Sequence, residues 1–341
     1  RQPGSRQAPP PMRAGLECRR EIAPSFTLPP KHSRSAQVSL TICSALFNPA
    51  LGRQICRKAR QPVTAGIVNV RDRRDAGLEG QTAVVTGGAS GIGRALSENL
   101  AQRGASIVLA DRQVDLAREV AADIQEDGGK AFVSELDVVN FTAVDQLVQE
   151  TVQSHGRLDY MFNNAGIAIG GETSLYNLDD WKAVLDVNLH GVVNGVQAAY
   201  PIMIRQGYGH IVNTASMAGL LPMPMGVSYA TTKHAVVGLS KSLRIEAAQH
   251  GIRVSALCPG VIRTPILQGG KYGRRLQPIS KQLEYKILER SRPLDPGLLA
   301  VKALDALARN SAIIIIPGWW RIVWWISRLS PSLVRYLSAR T

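Results

Sequence analysis

Gln81-Thr82-Ala83-Val84-Val85-Thr86-Gly87-Gly88-Ala89-Ser90-Gly91-Ile92-Gly93 decides the fold of this chain. Its opening residues read as a short buried strand over 82–86. The glycine-rich run follows, and Arg94-Ala95-Leu96-Ser97-Glu98-Asn99-Leu100 has helical periodicity. Strand, glycine turn and helix start are what pyrophosphate binding requires. Glycine lets the backbone turn sharply and approach a ligand. The helix N-terminus then offers unpaired N–H groups and a favourable dipole to phosphate oxygens. The spacing is G-x-x-x-G-x-G and differs from the commoner G-x-G-x-x-G.

Downstream, short apolar runs alternate with helical patterns. The runs predict strands at 82–86, 106–110, 131–136, 158–162, 209–214, 252–257 and 311–316. Helices are expected at 92–103, 113–127, 141–155, 178–204, 227–249, 279–291 and 297–309. This alternation implies an α/β fold: a doubly wound, Rossmann-type parallel sheet of seven strands with helices on both faces. A ligand then belongs at the carboxyl ends of the strands, near the switch point in strand order.

The second strand ends at Asp111, eighteen residues past Gly93, where a carboxylate can accept hydrogen bonds from an adenosine ribose and repel a 2′-phosphate. This favours NAD over NADP. The non-basic Ser90 in the loop points the same way, whereas Arg112 could partly accommodate a phosphate. The competing reading of Asp111 is the N-cap of a helix over 112–125.

Farther on, Tyr229 and Lys233 stand four residues apart, with Ser216 thirteen residues upstream of Tyr229. Residues four apart share a helix face. A nearby ammonium lowers a phenol pKa that is about 10 unperturbed, which suits a general acid or base. Ser216 could hydrogen-bond a substrate oxygen and stabilise developing charge. Taken alone, a Tyr-x-x-x-Lys also describes a half-buried Tyr beside a solvated Lys.

Together these motifs resemble the short-chain dehydrogenase/reductase family over roughly Leu78 to Pro317. Thr86, Gly87, Gly91 and Gly93 match its cofactor loop, which also contains Ser90 and Ile92. Asp137-Val138 matches its adenine-pocket aspartate, and Asn163-Asn164-Ala165-Gly166 its Asn-Asn-Ala-Gly element. Asn188, Ser216, Tyr229 and Lys233 match the catalytic set. Pro259-Gly260-Val261-Ile262 with Thr264 matches the segment that grips the nicotinamide. The resemblance implies hydride transfer between NAD and an alcohol or ketone. Tyr229 would handle the proton, Lys233 would tune Tyr229 and bind the nicotinamide ribose, and Asn188 would hold a proton-passing water. It also implies a homodimer or homotetramer.

Met217, Leu221, Met223 and Met225 follow Ser216, in a loop that borders the substrate in the family. They either line an adaptable apolar pocket or pack under the loop or in a subunit interface. The first reading implies a lipophilic secondary alcohol or ketone of steroid, retinoid or fatty type, with Gln268–Lys281 as a lid. The alternatives are a 3-ketoacyl reductase-like enzyme of lipid synthesis and a non-catalytic nucleotide-binding scaffold.

The termini differ in composition. Residues 1–75 hold fourteen Lys/Arg against four Asp/Glu, so most of the chain's formal +14 resides there. This stretch is rich in Pro, Ser and Arg, and disorder is expected. It reads as translated upstream sequence, as a targeting segment or as a nucleic-acid-binding arm. The last lacks aromatic interleaving, so no specific nucleic-acid partner is expected. Residues 76–317 form the expected dehydrogenase domain and 318–341 an amphipathic helix. Four of the five tryptophans are Trp319, Trp320, Trp324 and Trp325, with Arg321, Arg328 and Arg335 every seven residues. That helix reads either as a peripheral membrane contact over 319–341 or as a segment closing the substrate pocket or packing on a neighbouring subunit. Cys18, Cys43, Cys56 and Cys258 form no C-x-x-C pair, and the six histidines show no metal-ligand spacing. A cytoplasmic setting is expected.

Overall fold

The computed structural model describes residues 77–268, 272–277, 280, 282, 291–330 and 332. The expectations for residues 1–75, for a helix over 279–291 and for the end of the C-terminal helix lie wholly or mostly outside the described residues.

The glycine-rich stretch folds as expected. Strand β1 (Thr82–Thr86) runs through the turn into helix α1 (Gly91–Gln102). The chain continues through β2 (Ser106–Asp111), α2 (Val114–Glu126), β3 (Lys130–Glu135), α3 (Phe141–His155) and β4 (Tyr160–Asn163). A three-residue strand β5 (Ala168–Gly170), α4 (Leu178–Leu185) and α5 (Gly191–Gln206) follow. Next come β6 (Gly209–Thr214), α6 (Val227–Ala247), β7 (Ile252–Pro259) and β8 (Gly273–Arg275). Helix α7 (Pro296–Ala308), β9 (Ile313–Ile316) and α8 (Trp320–Leu329) complete the described chain.

Seven strands form one parallel sheet in the order β3-β2-β1-β4-β6-β7-β9. Strand side chains alternate between faces, and both faces are apolar because both are covered by helices. Val84, Val108, Met161, Ile211, Ala256 and Ile315 join the core under α3, α5 and α6. Their neighbours Val85, Ile107, Phe162, Val212, Leu257 and Ile314 join the opposite core under α1, α2 and α7. Phe162 has no exposed surface, and its truncation to Ala costs about 3–5 kcal/mol by the usual core measure.

The strand order reverses at β1, with β2 on one side and β4 on the other. The turns after β1 and β4 therefore meet at the switch point. Thr86 joins them: its hydroxyl accepts from the Asn164 and Ala165 N–H groups at 2.9 and 3.1 Å and donates to the Phe162 carbonyl.

Three features depart from the sequence reading. The helix expected over 178–204 is two helices, α4 and α5, joined by a π-turn at Asp186–His190. Such turns insert a residue without breaking the helical run. The short strands β5 and β8 pair in parallel as a second small sheet, which no alternation in the sequence announced. Asp111 is no N-cap, since α2 begins at Val114 behind Gln113. The C-terminal helix α8 folds back on the domain, packing Trp320, Val323 and Trp324 against the core.

Candidate active site

A cavity of about 850 Å³ lies across the carboxyl ends of the strands. One end is built by the glycine turn. Gly87, Ser90, Gly91 and Ile92 line it at the start of α1, and Ser90 makes no side-chain cap, so the helix N-terminus is left to a ligand. Thr86 and Gly93, also expected at the cofactor, do not line the cavity. A Cβ on Gly93 would lie 2.0 Å from the Gly87 carbonyl oxygen and 2.7 Å from Asn164 Nδ2. Only a hydrogen fits there, so Gly93 sets how closely α1 packs on the turn.

Asp111 forms the next part of the wall and is 8 % exposed. Its two carboxylate oxygens accept from the Ala89 N–H at 3.1 Å and the Gln113 N–H at 3.0 Å. The carboxylate is thereby aimed into the cleft with lone pairs to spare. Arg112 is exposed and lies 3.7 Å from Asp137, which also lines the cavity together with Val138. The guanidinium is thus partly answered by a carboxylate. Opposite, Asn164, Ala165 and Gly166 continue the wall from the end of β4, and Pro259, Gly260, Val261, Ile262 and Thr264 from the end of β7.

The other end gathers Ser216, Tyr229 and Lys233. Ser216 follows β6, and its hydroxyl accepts from the Ala218 N–H at 3.1 Å. The short 3₁₀ turn Met217–Gly219 then presses on α6. A Cβ on Gly219 would lie 2.5 Å from the Lys233 carbonyl oxygen, so glycine permits the contact that brings Ser216 to Tyr229. Lys233 Nζ donates to the Thr214 carbonyl at 2.8 Å and sits 5.5 Å from the Tyr229 ring centroid.

Burial dominates the electrostatics here. It pushes the Lys233 ammonium down to about 8 from its usual 10.5. It raises the Tyr229 phenol above its ordinary value, against a hydrogen bond from Ser216 that works downward. The net shift of Tyr229 is therefore upward, contrary to the lowering expected from its spacing to Lys233. The reason is desolvation, which disfavours both charged forms. Cys258 is fully buried and its thiol is pushed up to about 12, consistent with an inert packing residue.

Asn188 sits in the π-turn and is fully buried. Its side chain does not line the cavity. Its Oδ1 accepts from the Ile167 N–H at 2.8 Å, and its Nδ2 donates to the Ile167 carbonyl at 2.9 Å and the Thr232 hydroxyl at 3.3 Å. Thr232 in turn donates to the Tyr229 carbonyl at 2.7 Å. Asn188 thus ties the β4 end to the helix that carries Tyr229. A buried chain from Asn163 to Asn213 to Ser240 cross-links β4, β6 and α6 beneath it.

Of the apolar residues expected at the substrate, Met217, Leu221 and Met223 line the cavity and Met225 does not. Met225 is half exposed, with φ of 62°, and its carbonyl accepts from the Gly171 N–H. Trp320 and Tyr272 are among the lining residues that the motifs did not single out. Trp320 packs its indole on Gly260, and Tyr272 accepts from the Gln113 side chain at 3.0 Å. Of the expected lid, β8 is described; its Arg274 pairs with buried Asp180. Among the described residues no cluster could hold a metal ion.

A twisted parallel sheet with a glycine turn at its switch point and a Ser, Tyr, Lys group across the cleft defines a nucleotide-dependent dehydrogenase architecture. Comparison with known proteins agrees. Residues 81–272 match the model of the short chain dehydrogenase family. An uncharacterized oxidoreductase of Staphylococcus epidermidis is 35% identical over 195 residues, covering 57% of this chain and 84% of that protein. The 3-oxoacyl-[acyl-carrier-protein] reductase of Thermotoga maritima is 37% identical over 191 residues, covering 56% and 78%. The crystal structure of a short chain dehydrogenase/reductase from Burkholderia phymatum in complex with NAD superposes with a TM-score of 0.68 at 31% identity, covering 75% of this chain and 95% of that one. The chain therefore belongs to the short chain dehydrogenase family of NAD(P)-dependent oxidoreductases.

Proposed function

We propose that this protein moves a hydride between NAD and the carbinol or carbonyl carbon of a hydrophobic secondary alcohol or ketone. The observation that carries the reading is one continuous cavity with Asp111 at one end and Ser216, Tyr229 and Lys233 at the other. The residues present fit the cofactor. The uncapped start of α1 suits a pyrophosphate, and the Asp111 carboxylate suits ribose hydroxyls while repelling a 2′-phosphate. NAD, when bound, supplies the hydride acceptor or donor, and the protein supplies orientation and electrostatics.

Tyr229 gives a proton to the oxygen of a ketone being reduced, or takes one from an alcohol being oxidised. Ser216 holds the same oxygen and donates to it as charge develops. Lys233, near the Tyr229 ring, offers a positive charge that favours the phenolate during proton transfer. Asn188 acts as a positioning residue through Ile167 and Thr232. Met217, Leu221, Met223 and Trp320 give the substrate end an apolar lining, which supports a lipophilic substrate.

The test is a screen of lipophilic secondary alcohols and ketones with NAD and NADP in parallel. The expected result is NAD-preferring turnover of lipophilic members. Turnover confined to carrier-linked 3-oxoacyl substrates with NADP would replace this reading by one like the Thermotoga relative. Cofactor binding with no hydride transfer to any substrate would favour a nucleotide-binding scaffold.

A further inference from the structure

The C-terminal helix α8 has two apolar faces, and among the described residues only one of them packs on the core. At about 100° per residue, Trp320, Val323 and Trp324 point to one side and pack on the core. Trp319, Ile322, Trp325, Ile326 and Leu329 point to the other side, with Ile322 64%, Trp325 56% and Leu329 82% exposed. Contiguous exposed apolar surface of this kind marks an interaction site. Arg321 and Arg328 stand together on the flank between the two faces, both exposed, with Arg328 also lying 5.4 Å over the Trp324 ring.

Charge selects the partner. From Ala306 to the last residue the sequence contains five arginines and no Asp or Glu. A second copy of the helix laid face to face would set arginine beside arginine with no carboxylate of its own to answer them. A surface of anionic headgroups over acyl chains answers both features: arginines meet phosphates while Trp, Ile and Leu enter the headgroup–acyl boundary. Among the described residues no helix is long and apolar enough to cross a membrane, so the geometry is that of a helix lying in the surface.

We propose that the outward face of α8 seats in the headgroup layer of an anionic membrane. Trp319, on the seated face, stacks on Trp320 at 4.3 Å between ring centroids, and Trp320 lines the cavity. The seated face is thus one aromatic ring away from the wall of the substrate end. The inference is independent of which alcohol is turned over, since seating rests on α8 alone.

The test uses the full chain with vesicles of phosphatidylcholine alone and with about one third phosphatidylserine. Four of the five tryptophans lie in 319–325, so tryptophan emission and its quenching by brominated acyl chains report on this helix. Two variants accompany the parent: Trp325→Ser with Leu329→Ser, and Arg321→Glu with Arg328→Glu. None of these positions lines the cavity, so turnover without lipid is expected to stay at the parent level. The parent should sediment with the anionic vesicles, with blue-shifted and quenched emission. Each double variant should bind them at least about tenfold more weakly. The proposal is overturned if the parent binds neither vesicle. It is equally overturned if the Trp325/Leu329 variant binds as the parent does, which would assign binding to another part of the chain. A fall in oligomer mass of that variant without vesicles would make a second copy the occupant and overturn it too.

Discussion

Lys233 is charged in a place that disfavours charge, and this makes a quantitative prediction for the cofactor-free protein. It is 2 % exposed, and burial lowers its pKa from 10.5 to about 8. That depression corresponds to roughly 3 kcal/mol of penalty on the folded state. That penalty is fully present below pH 8, where the lysine is protonated both folded and unfolded. It diminishes as pH rises from 8 to 10.5, because there the unfolded state binds the proton that the folded state has lost. Lys233→Met keeps the side-chain length and removes the charge, but forfeits the hydrogen bond to the Thr214 carbonyl, which is worth about 1 kcal/mol. The variant is therefore expected to be about 2 kcal/mol more stable than the parent at pH 7. It should lose that advantage by about pH 10.5, while losing turnover. Urea unfolding of cofactor-free parent and variant at pH 7, 9 and 10.5, followed by circular dichroism, measures the difference. A variant less stable than the parent at pH 7, or a difference that does not change with pH, would mean that Lys233 carries no such burial penalty.

Two further outcomes follow from the cofactor end. Asp111→Ala removes an acceptor held by the Ala89 and Gln113 N–H groups. It should weaken NAD binding by about 1.5–3 kcal/mol and narrow the preference over NADP, as read by titration calorimetry with both cofactors. Gly93→Ala sets a Cβ 2.0 Å from a backbone oxygen, so the turn must move. A loss of about 1–3 kcal/mol in stability, together with loss of NAD binding, is expected from unfolding curves and the same titrations.

The sheet was legible because its strands are short apolar runs between helical patterns, and the two-faced burial of Val84 against Val85 follows from the pleat alone. The glycine turn, Asp111 and the Ser216, Tyr229 and Lys233 group were legible because their residue types are tied to one chemistry at one spacing. The π-turn at Asp186–His190 was not, because apolar periodicity runs through it with only a phase slip. Asn188 was singled out, yet its engagement with Ile167 depends on that turn. Strands of three residues, as in β5 and β8, are too short to show alternation. The upward direction of the Tyr229 shift is not legible in the sequence, because spacing along a helix reports the neighbouring cation but not the loss of water around both groups. The tryptophan-rich tail announced an amphipathic helix, but only the packed structure separates Trp320, in the cavity wall, from Trp325, facing outward.

The role proposed for Tyr229 is to carry the proton of a hydride-transfer reaction. It is tested most directly by Tyr229→Phe, with NAD titration and turnover of the best substrate measured on the same preparation. NAD affinity close to that of the parent and turnover lower by about 10³-fold or more are expected. Turnover within about tenfold of the parent, with the cofactor bound, would contradict it.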